Sequence, residues 1–73
     1  MLPERLPPHN IEAEEAVLGS ILVDSGTLIE VSAFLKPSDF YREKNQWVYQ
    51  AMLKLSSEDK AIDQITLSDE LSR

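Results

Sequence analysis

The chain has 73 residues, a net charge of −6 and a composition of 42% hydrophobic and 27% charged residues, which indicates one small globular domain. It contains no cysteine, so disulfides and thiolate metal sites are excluded. Its two glycines, Gly19 and Gly26, do not have the spacing of a P-loop or a dinucleotide-binding fingerprint. The longest apolar run, residues 16–23, is too short to cross a membrane, and we expect no membrane partner.

The charge is distributed unevenly along the chain. Residues 36–55 carry a net charge of +2, whereas the segments before and after them carry −5 and −3. Because lysine and arginine supply most of the affinity for nucleic-acid phosphates, an acidic protein repels nucleic acid at long range. The charge pattern therefore favours a protein partner over direct DNA binding.

Three prolines within the first nine residues predict an extended, proline-rich arm over residues 1–9. His9, the only histidine, lies in this arm, and we expect it to be exposed rather than catalytic or bound to a metal. Residues 10–73 are expected to form one helical head.

The first predicted helix covers residues 11–23, with Asn10 as its N-cap and with apolar residues recurring along one face. Glu14 lies in the middle of this apolar face, which the pattern does not explain, and we expect a surface carboxylate near the first turn in preference to a specific buried hydrogen bond. Gly19 lies inside the helix, where a glycine costs about 1 kcal/mol relative to alanine. The expected reason for a glycine at this position is the close approach of a second helix.

A second helix is predicted over residues 27–35, where Thr27 and Glu30 have the spacing of a capping box. The proline that follows ends this helix. A short turn after the proline is expected to place Phe40 and Tyr41 in the core.

The third helix is predicted over residues 43–55, where apolar residues repeat with helical spacing. A polar connection, residues 56–61, separates it from a fourth helix that is capped by Asp63 or Thr66. No segment has the two-residue alternation of a strand, so we expect an all-α fold, a small orthogonal bundle of about four helices. The predicted core comprises Val17, Leu18, Ile21, Leu22, Leu28, Val31, Phe40, Tyr41, Val48, Met52 and Leu55.

The segment FYREKNQWVY, residues 40–49, combines four of the chain's five aromatic residues with one arginine and one lysine. Aromatic residues interleaved with basic ones are typical of surfaces that stack single-stranded nucleic acid. Such a surface would comprise Tyr41, Arg42, Lys44 and Trp47. Helical spacing instead directs most of these aromatic residues toward the core and leaves Trp47 at the edge of the apolar face, as a candidate anchor for a protein partner. The predicted partner surface comprises Lys44, Gln46, Trp47 and Gln50.

Three blocks of the sequence stand in a recognisable order, namely LPPHNIEAEEAVLGSILVD (6–24), LKPSDFYREKNQWVYQAMLKL (35–55) and IDQITLSDEL (62–71). In this order and spacing they resemble the N-terminal domain of DnaB-type replicative DNA helicases. The positions that match the family's motifs are Pro8, Glu12, Ala13, Glu14, Val17, Leu18, Gly19, Asp39, Phe40, Tyr41, Asp63, Thr66 and Leu67. The chain departs from the family at Asn45, where histidine is common, and at Asp59 and Ala61, in a loop that often has glycine and proline.

The resemblance implies a non-enzymatic scaffolding and protein-interaction module that supports ring assembly and docks primase during DNA replication. It implies no catalytic, metal or cofactor site in this chain, whereas the helicase itself would use ATP and Mg²⁺. The implied partners are other helicase subunits in a hexamer, primase and a helicase loader. The implied location is the bacterial cytoplasm or nucleoid, or a plastid. The family's domain continues with a helical hairpin that is absent here, so the chain resembles the head of that domain, truncated at its C-terminus.

Two alternatives remain open from the sequence. One is a helical module that binds single-stranded nucleic acid through the aromatic and basic residues of segment 40–49. The other is an unrelated acidic helical adaptor, such as the helicase-interacting domain of primase. A P-loop encoded beyond Arg73 is expected only for the helicase.

Overall fold

The structure, a computed structural model, describes Leu6 and residues 10–73. These residues contain four α-helices. The helices are α1 (Ile11–Val23), α2 (Thr27–Ser32), α3 (Glu43–Ser57) and α4 (Gln64–Leu71), with a 3₁₀ turn at Pro37–Asp39. None of these described residues forms a strand, and the predicted all-α class is confirmed. None of the described helices combines the length and the apolar character that a membrane span requires.

The predicted arm, residues 1–9 with His9, lies outside the described residues except for Leu6. The side chain of Leu6 is half-buried and packs against the hydrophobic core. Leu6 therefore contributes apolar contact that helical periodicity, which starts at Ile11, did not reveal.

Helix α1 begins as predicted after Asn10, whose side-chain Oδ1 accepts a hydrogen bond from the Ala13 N–H at 2.9 Å. This bond satisfies one of the backbone N–H groups that the first helical turn leaves without a helical partner. A Cβ atom added to Gly19 would meet no neighbouring atom within 4 Å. The predicted close approach of another helix at Gly19 is therefore wrong.

Helix α2 is shorter than predicted and begins differently. Gly26 is its N-cap residue and Thr27 is already helical, so the predicted capping box of Thr27 and Glu30 does not form. Asp24 instead orders the turn before the helix: its Oδ1 accepts a hydrogen bond from the Gly26 N–H at 3.0 Å, and its backbone carbonyl accepts one from the Thr27 N–H at 2.9 Å. The helix ends at Ser32 and a turn follows at residues 33 and 34, so the helix stops before it reaches Pro37, and the prediction that the proline ends it is wrong.

Helix α3 is the central element of the fold and contacts α1, α4 and the 3₁₀ turn. The buried hydrophobic residues are Val17, Leu18, Ile21, Leu28, Val31, Leu35, Phe40, Tyr49, Ala51, Met52, Leu55 and Leu67. Leu22 and Val48, which were predicted to be core residues, are only half-buried and pack at its edge. Inside the core, the rings of Phe40 and Tyr49 lie 4.9 Å apart, and the Tyr49 hydroxyl donates a hydrogen bond to the Leu35 carbonyl at 2.9 Å.

The prediction that Tyr41 lies in the core is wrong, because 61% of this residue is exposed. Phe40 and Arg42, on either side of it, both have extended backbone conformations. Successive side chains of an extended chain point in opposite directions. Since Phe40 fills the core, Tyr41 is directed outward.

The connection between α3 and α4 is fixed at both ends. Asp59, just beyond the end of α3, has a φ of 59°, in the left-handed region that favours glycine. At the start of α4, the Asp63 carboxylate accepts a hydrogen bond from the Thr66 N–H at 2.9 Å, and the Thr66 hydroxyl accepts one from the Asp63 N–H at 3.0 Å. Of the two predicted caps, Asp63 is the N-cap. The hydrogen bond from the Thr66 N–H is the main cause that lowers the pKa of the Asp63 carboxyl group.

Candidate protein-interaction surface

The N-terminus of α3 is held by a buried carboxylate of α1. Glu14 is fully buried, and its Oε2 accepts a hydrogen bond from the Tyr41 N–H at 2.5 Å. Its Oε1 accepts a bond from the Asn45 Nδ2 at 2.9 Å and a longer one from the Arg42 N–H at 3.3 Å. The expectation that Glu14 is a surface carboxylate is therefore wrong.

These bonds explain why a charged residue occurs on the apolar face of α1. Tyr41 and Arg42 directly precede α3, whose first-turn N–H groups and dipole favour a negative charge nearby. A carboxylate can enter the core when hydrogen bonds satisfy its oxygen atoms. Glu14 thus ties α1 to the start of α3 and fixes the helix that carries the candidate surface. The sequence signal for this role was the position of Glu14 on the apolar face.

Three of the four residues predicted for the partner surface lie on one side of α3. Lys44, Trp47 and Gln50 are spaced three residues apart, so they neighbour one another along the helix, and all three are exposed. The exposed fraction of Trp47 is 55%, as expected for its position at the edge of the apolar face. Gln46, the fourth residue, is half-buried, and its Nε2 donates a hydrogen bond to the Phe40 carbonyl at 2.6 Å.

Trp47 lies at an open groove between α3 and α4, which we call the α3–α4 groove. It is lined by Trp47, Gln50, Ala51, Lys54, Glu70, Leu71 and Arg73. Leu71 is partly exposed in this groove, so it offers apolar surface beside the indole. The sequence predicted the contribution of α3 but not that of α4, since periodicity within one helix does not indicate which helix packs beside it.

The charged residues of the α3–α4 groove are mostly paired. The Lys54 Nζ lies 3.1 Å from the Glu70 Oε2, and this ion pair links α3 to α4. Arg73 and Asp69 form a second ion pair at 3.1 Å, and this hydrogen bond raises the pKa of the Arg73 guanidinium. The Arg73–Asp69 pair is exposed at both ends and contributes little to stability, whereas the Glu70 side chain of the other pair is only 9% exposed. The effect of both pairs is to border the apolar centre of the groove with charge, as in the polar rim of many interfaces.

The residues proposed for the nucleic-acid alternative are also at the surface. All four residues of that surface are exposed, namely Tyr41, Arg42, Lys44 and Trp47. This surface therefore includes the aromatic ring of Tyr41, which the core prediction had assigned to the interior.

Among the described residues, no group of three His, Cys, Asp or Glu side chains is placed to hold a metal ion.

Comparison with known proteins identifies the family to which the chain is related, which the geometry of the surface alone does not. The family described as "DnaB-like helicase N terminal domain" matches residues 6–73. The chain is 46% identical to the replicative DNA helicase DnaC of Bacillus subtilis and 40% identical to the replicative DNA helicase DnaB of Geobacillus stearothermophilus, in each case over 99% of this chain. It spans only 16% of the length of either helicase.

A solved structure extends the similarity to the fold. The N-terminal domain of DnaB helicase from Mycobacterium tuberculosis superimposes with a TM-score of 0.87 and is 38% identical. The match covers 93% of this chain and 47% of that domain. With the family match over residues 6–73, these similarities favour the helicase over an unrelated acidic adaptor. This chain belongs to the family of DnaB-like helicase N-terminal domains.

Proposed function

We propose that this chain is a non-catalytic scaffolding and protein-docking module of a replicative DNA helicase, which supports assembly of the helicase ring and docks primase during DNA replication. The helicase would act as a hexamer in the bacterial cytoplasm, using ATP and Mg²⁺ at sites outside these residues. A helicase loader is a further proposed partner. The observation that carries the proposal is the exposure of Trp47 on a helix that Glu14 holds in place.

The setting of Trp47 supports a docking role. Tryptophan is enriched among residues that dominate binding energy at protein interfaces. Here the indole is at the surface of α3, beside the partly exposed Leu71 of α4. A partner could bury both apolar side chains without rearranging the core, because neither residue belongs to the buried cluster.

The test uses the fact that Trp47 is the chain's only tryptophan. The chain is labelled with fluorotryptophan, and its fluorine NMR signal is followed while primase from the same organism is added. Docking at Trp47 predicts a saturable change of this signal. Fluorescence anisotropy of dye-labelled chains should then show at least roughly tenfold weaker primase binding by Trp47→Ala. Ile29→Ala, a similarly exposed apolar residue on α2, is the matched control, and equal binding by both variants would contradict docking at Trp47.

Binding of single-stranded nucleic acid is the second candidate function, and the exposure of Tyr41 is the observation that favours it. Stacking on Tyr41 and Trp47, with Arg42 and Lys44 at the phosphates, would need no change of fold. Anisotropy of labelled single-stranded DNA at low salt tests this function. Tight binding that weakens with added salt and with Tyr41→Ala would establish it, and unchanged anisotropy would reject it.

A further inference from the structure

A second exposed apolar surface lies where the end of α1 meets the start of α4. An open hollow there, which we call the Val23–Ile65 patch, is lined by Leu22, Val23, Asp63, Gln64 and Ile65. Val23 is 89% exposed and Ile65 is 82% exposed. Because both side chains are branched and apolar, a partner that covers them removes apolar surface from water, which is favourable.

The border of the Val23–Ile65 patch is acidic. Asp24 directly follows Val23, and Asp63 lines the hollow; both are exposed, and neither forms an ion pair with another described residue. Helix α1 also has no basic residue in its last turn, although the carbonyl groups at the C-terminus of a helix favour a positive charge. This end of α1 therefore presents negative charge to which the described residues supply no cationic partner.

The cationic side chains of the described residues lie elsewhere or are already paired. None of them lines the hollow. Three are in ion pairs with acidic residues, namely Lys54, Lys60 and Arg73. The others flank the 3₁₀ turn or the start of α3, namely Lys36, Arg42 and Lys44. Glu14 binds the start of α3, and Val23 lies nine residues farther along α1, which is about 14 Å at 1.5 Å per residue.

The face of α1 that leads to Val23 has small side chains and acidic neighbours. Ala16, Gly19 and Val23 follow one another at intervals of three and four residues, so they form one row along the helix. Ala16 is exposed, and a Cβ added to Gly19 would meet no described atom within 4 Å. Glu12 and Glu15, both exposed, lie beside this row. An elongated partner such as a helix can therefore lie along α1 and reach the Val23–Ile65 patch without displacing a side chain.

We propose that the Val23–Ile65 patch binds a basic amphipathic helix of another protein. The apolar side chains of that helix cover Val23 and Ile65, as in other helix-in-groove contacts. Its lysine or arginine residues face Asp24 and Asp63, and these opposite charges favour this class of partner over an acidic one. A second copy of the chain is disfavoured, because two copies that each carry a net charge of −6 repel one another.

This inference goes beyond docking at Trp47 and does not depend on it. Ile65 of the Val23–Ile65 patch and Leu71 of the α3–α4 groove both belong to α4. Their separation of six residues places the two side chains about 120° apart around the helix axis. The two surfaces therefore face different directions and can bind different partners.

A synthetic peptide of leucine and lysine, about 15 residues long and with all its leucines on one helical face, is the probe. It is titrated into the isotope-labelled chain, and the backbone amide signals are followed by NMR. We expect saturable shifts centred on residues 22–24 and 63–65, which weaken when salt is added. One control peptide has glutamate in place of lysine, and a second has the same composition in a shuffled order without an apolar face. Each control should bind at least roughly tenfold more weakly, since the first reverses the charge and the second loses the apolar contact.

Two variants of the chain separate the apolar contribution from the charge. Ile65→Ser removes apolar surface from the patch and should weaken binding of the leucine–lysine peptide about tenfold or more; its matched control is Leu71→Ser, on the same helix but outside the patch. Asp24→Asn keeps an oxygen that can accept the Gly26 N–H and should weaken binding roughly two- to fivefold. Its matched control is Glu43→Gln, at an exposed carboxylate at the start of α3. Both controls should bind as the parent does, and circular dichroism checks that the helices of every variant persist.

Three results would overturn the inference. The first is equal binding of the shuffled peptide, or equal binding by Ile65→Ser and Leu71→Ser, which would mean that charge alone attracts the probe. The second is a set of shifts centred outside the patch. The third is a concentration-dependent shift at residues 22–24 and 63–65 in the chain alone, which would mean that a second copy covers the patch. Trp47→Ala should bind the peptide as the parent does, so failure of the peptide to bind leaves the docking of primase at Trp47 standing.

Discussion

Replacement of Glu14 by glutamine tests whether the buried carboxylate holds α3 in place. The two carboxylate oxygens accept hydrogen bonds from three donors: two backbone N–H groups and the Asn45 amide. A glutamine side chain offers one oxygen and one NH₂ group, so in either orientation at least one backbone N–H faces another donor. A buried donor without a partner costs about 1 to 3 kcal/mol, and loss of the charged acceptor weakens the remaining bonds, so we expect a total loss of about 2 to 4 kcal/mol.

This loss is large for so small a domain. At about 0.05 to 0.15 kcal/mol per residue, the free energy of unfolding of the chain is roughly 4 to 11 kcal/mol. A loss of 1 kcal/mol lowers the melting temperature of a domain of this size by about 4 to 8 °C. Glu14→Gln should therefore lower the melting temperature by about 10 °C or more, as followed by circular dichroism, with urea unfolding to give the free energy.

The matched control is Glu15→Gln, the same chemical change at the exposed neighbouring position. A substitution at such a site usually changes stability by no more than about 0.5 kcal/mol. If Glu14→Gln and Glu15→Gln melt together, the carboxylate does not stabilise the start of α3, and the argument for its role is refuted. Glutamine rather than alanine is the informative change, because alanine also leaves a cavity.

Three further outcomes are expected. Met52→Ala should cost about 2 to 5 kcal/mol, because Met52 is fully buried, whereas Val48→Ala should cost less because Val48 is half-buried; equal losses in urea unfolding would contradict the placement of α3. Gly19→Ala should stabilise the chain by up to about 1 kcal/mol, since a Cβ there meets no neighbour, and a lower melting temperature would refute that. Burial, with the nearby Asp39 charge, raises the pKa of Tyr49 above its ordinary value of 10.0. Its contribution to stability is therefore fully present below about pH 10 and is lost as the pH rises toward the folded-state pKa. Tyr49→Phe should lose about 1 kcal/mol at neutral pH and should show a weaker dependence on alkaline pH than the parent; an unchanged alkaline dependence would contradict this.

Local patterns predicted the helices well because caps and periodicity are properties of nearby residues. Asn10 and Asp63 cap α1 and α4 as expected, and the apolar spacing of α3 identified its buried face. Tyr41 was wrongly assigned to the core, and the half-burial of Gln46 was not predicted, because both positions depend on the extended segment before α3. The extended backbone there directs Phe40 into the core and Tyr41 outward. The Phe40 carbonyl of that segment accepts a hydrogen bond from Gln46.

Contacts between distant segments account for most of what the sequence did not reveal. Glu14 and Asn45 are 31 positions apart and meet only after α1 and α3 have packed. The α3–α4 groove likewise requires Leu71 of α4 beside Trp47 of α3. No periodic pattern contains such pairings, although an isolated carboxylate on an apolar face does indicate that a buried partner is needed.

Two of the three positions that depart from the family's sequence pattern, Asn45 and Asp59, have a physical role that the structure explains. Where the family often has histidine, Asn45 donates an amide hydrogen to the Glu14 carboxylate, and an imidazole N–H can also donate to a carboxylate. Where the family often has glycine, Asp59 occupies a left-handed conformation, which aspartate tolerates better than most residues with a side chain. The Lys60 N–H still reaches back to the Leu55 carbonyl at 2.9 Å, so the end of α3 is closed in the way that glycine would permit. In this chain, therefore, Asn45 serves as a hydrogen-bond donor and Asp59 supplies the positive φ.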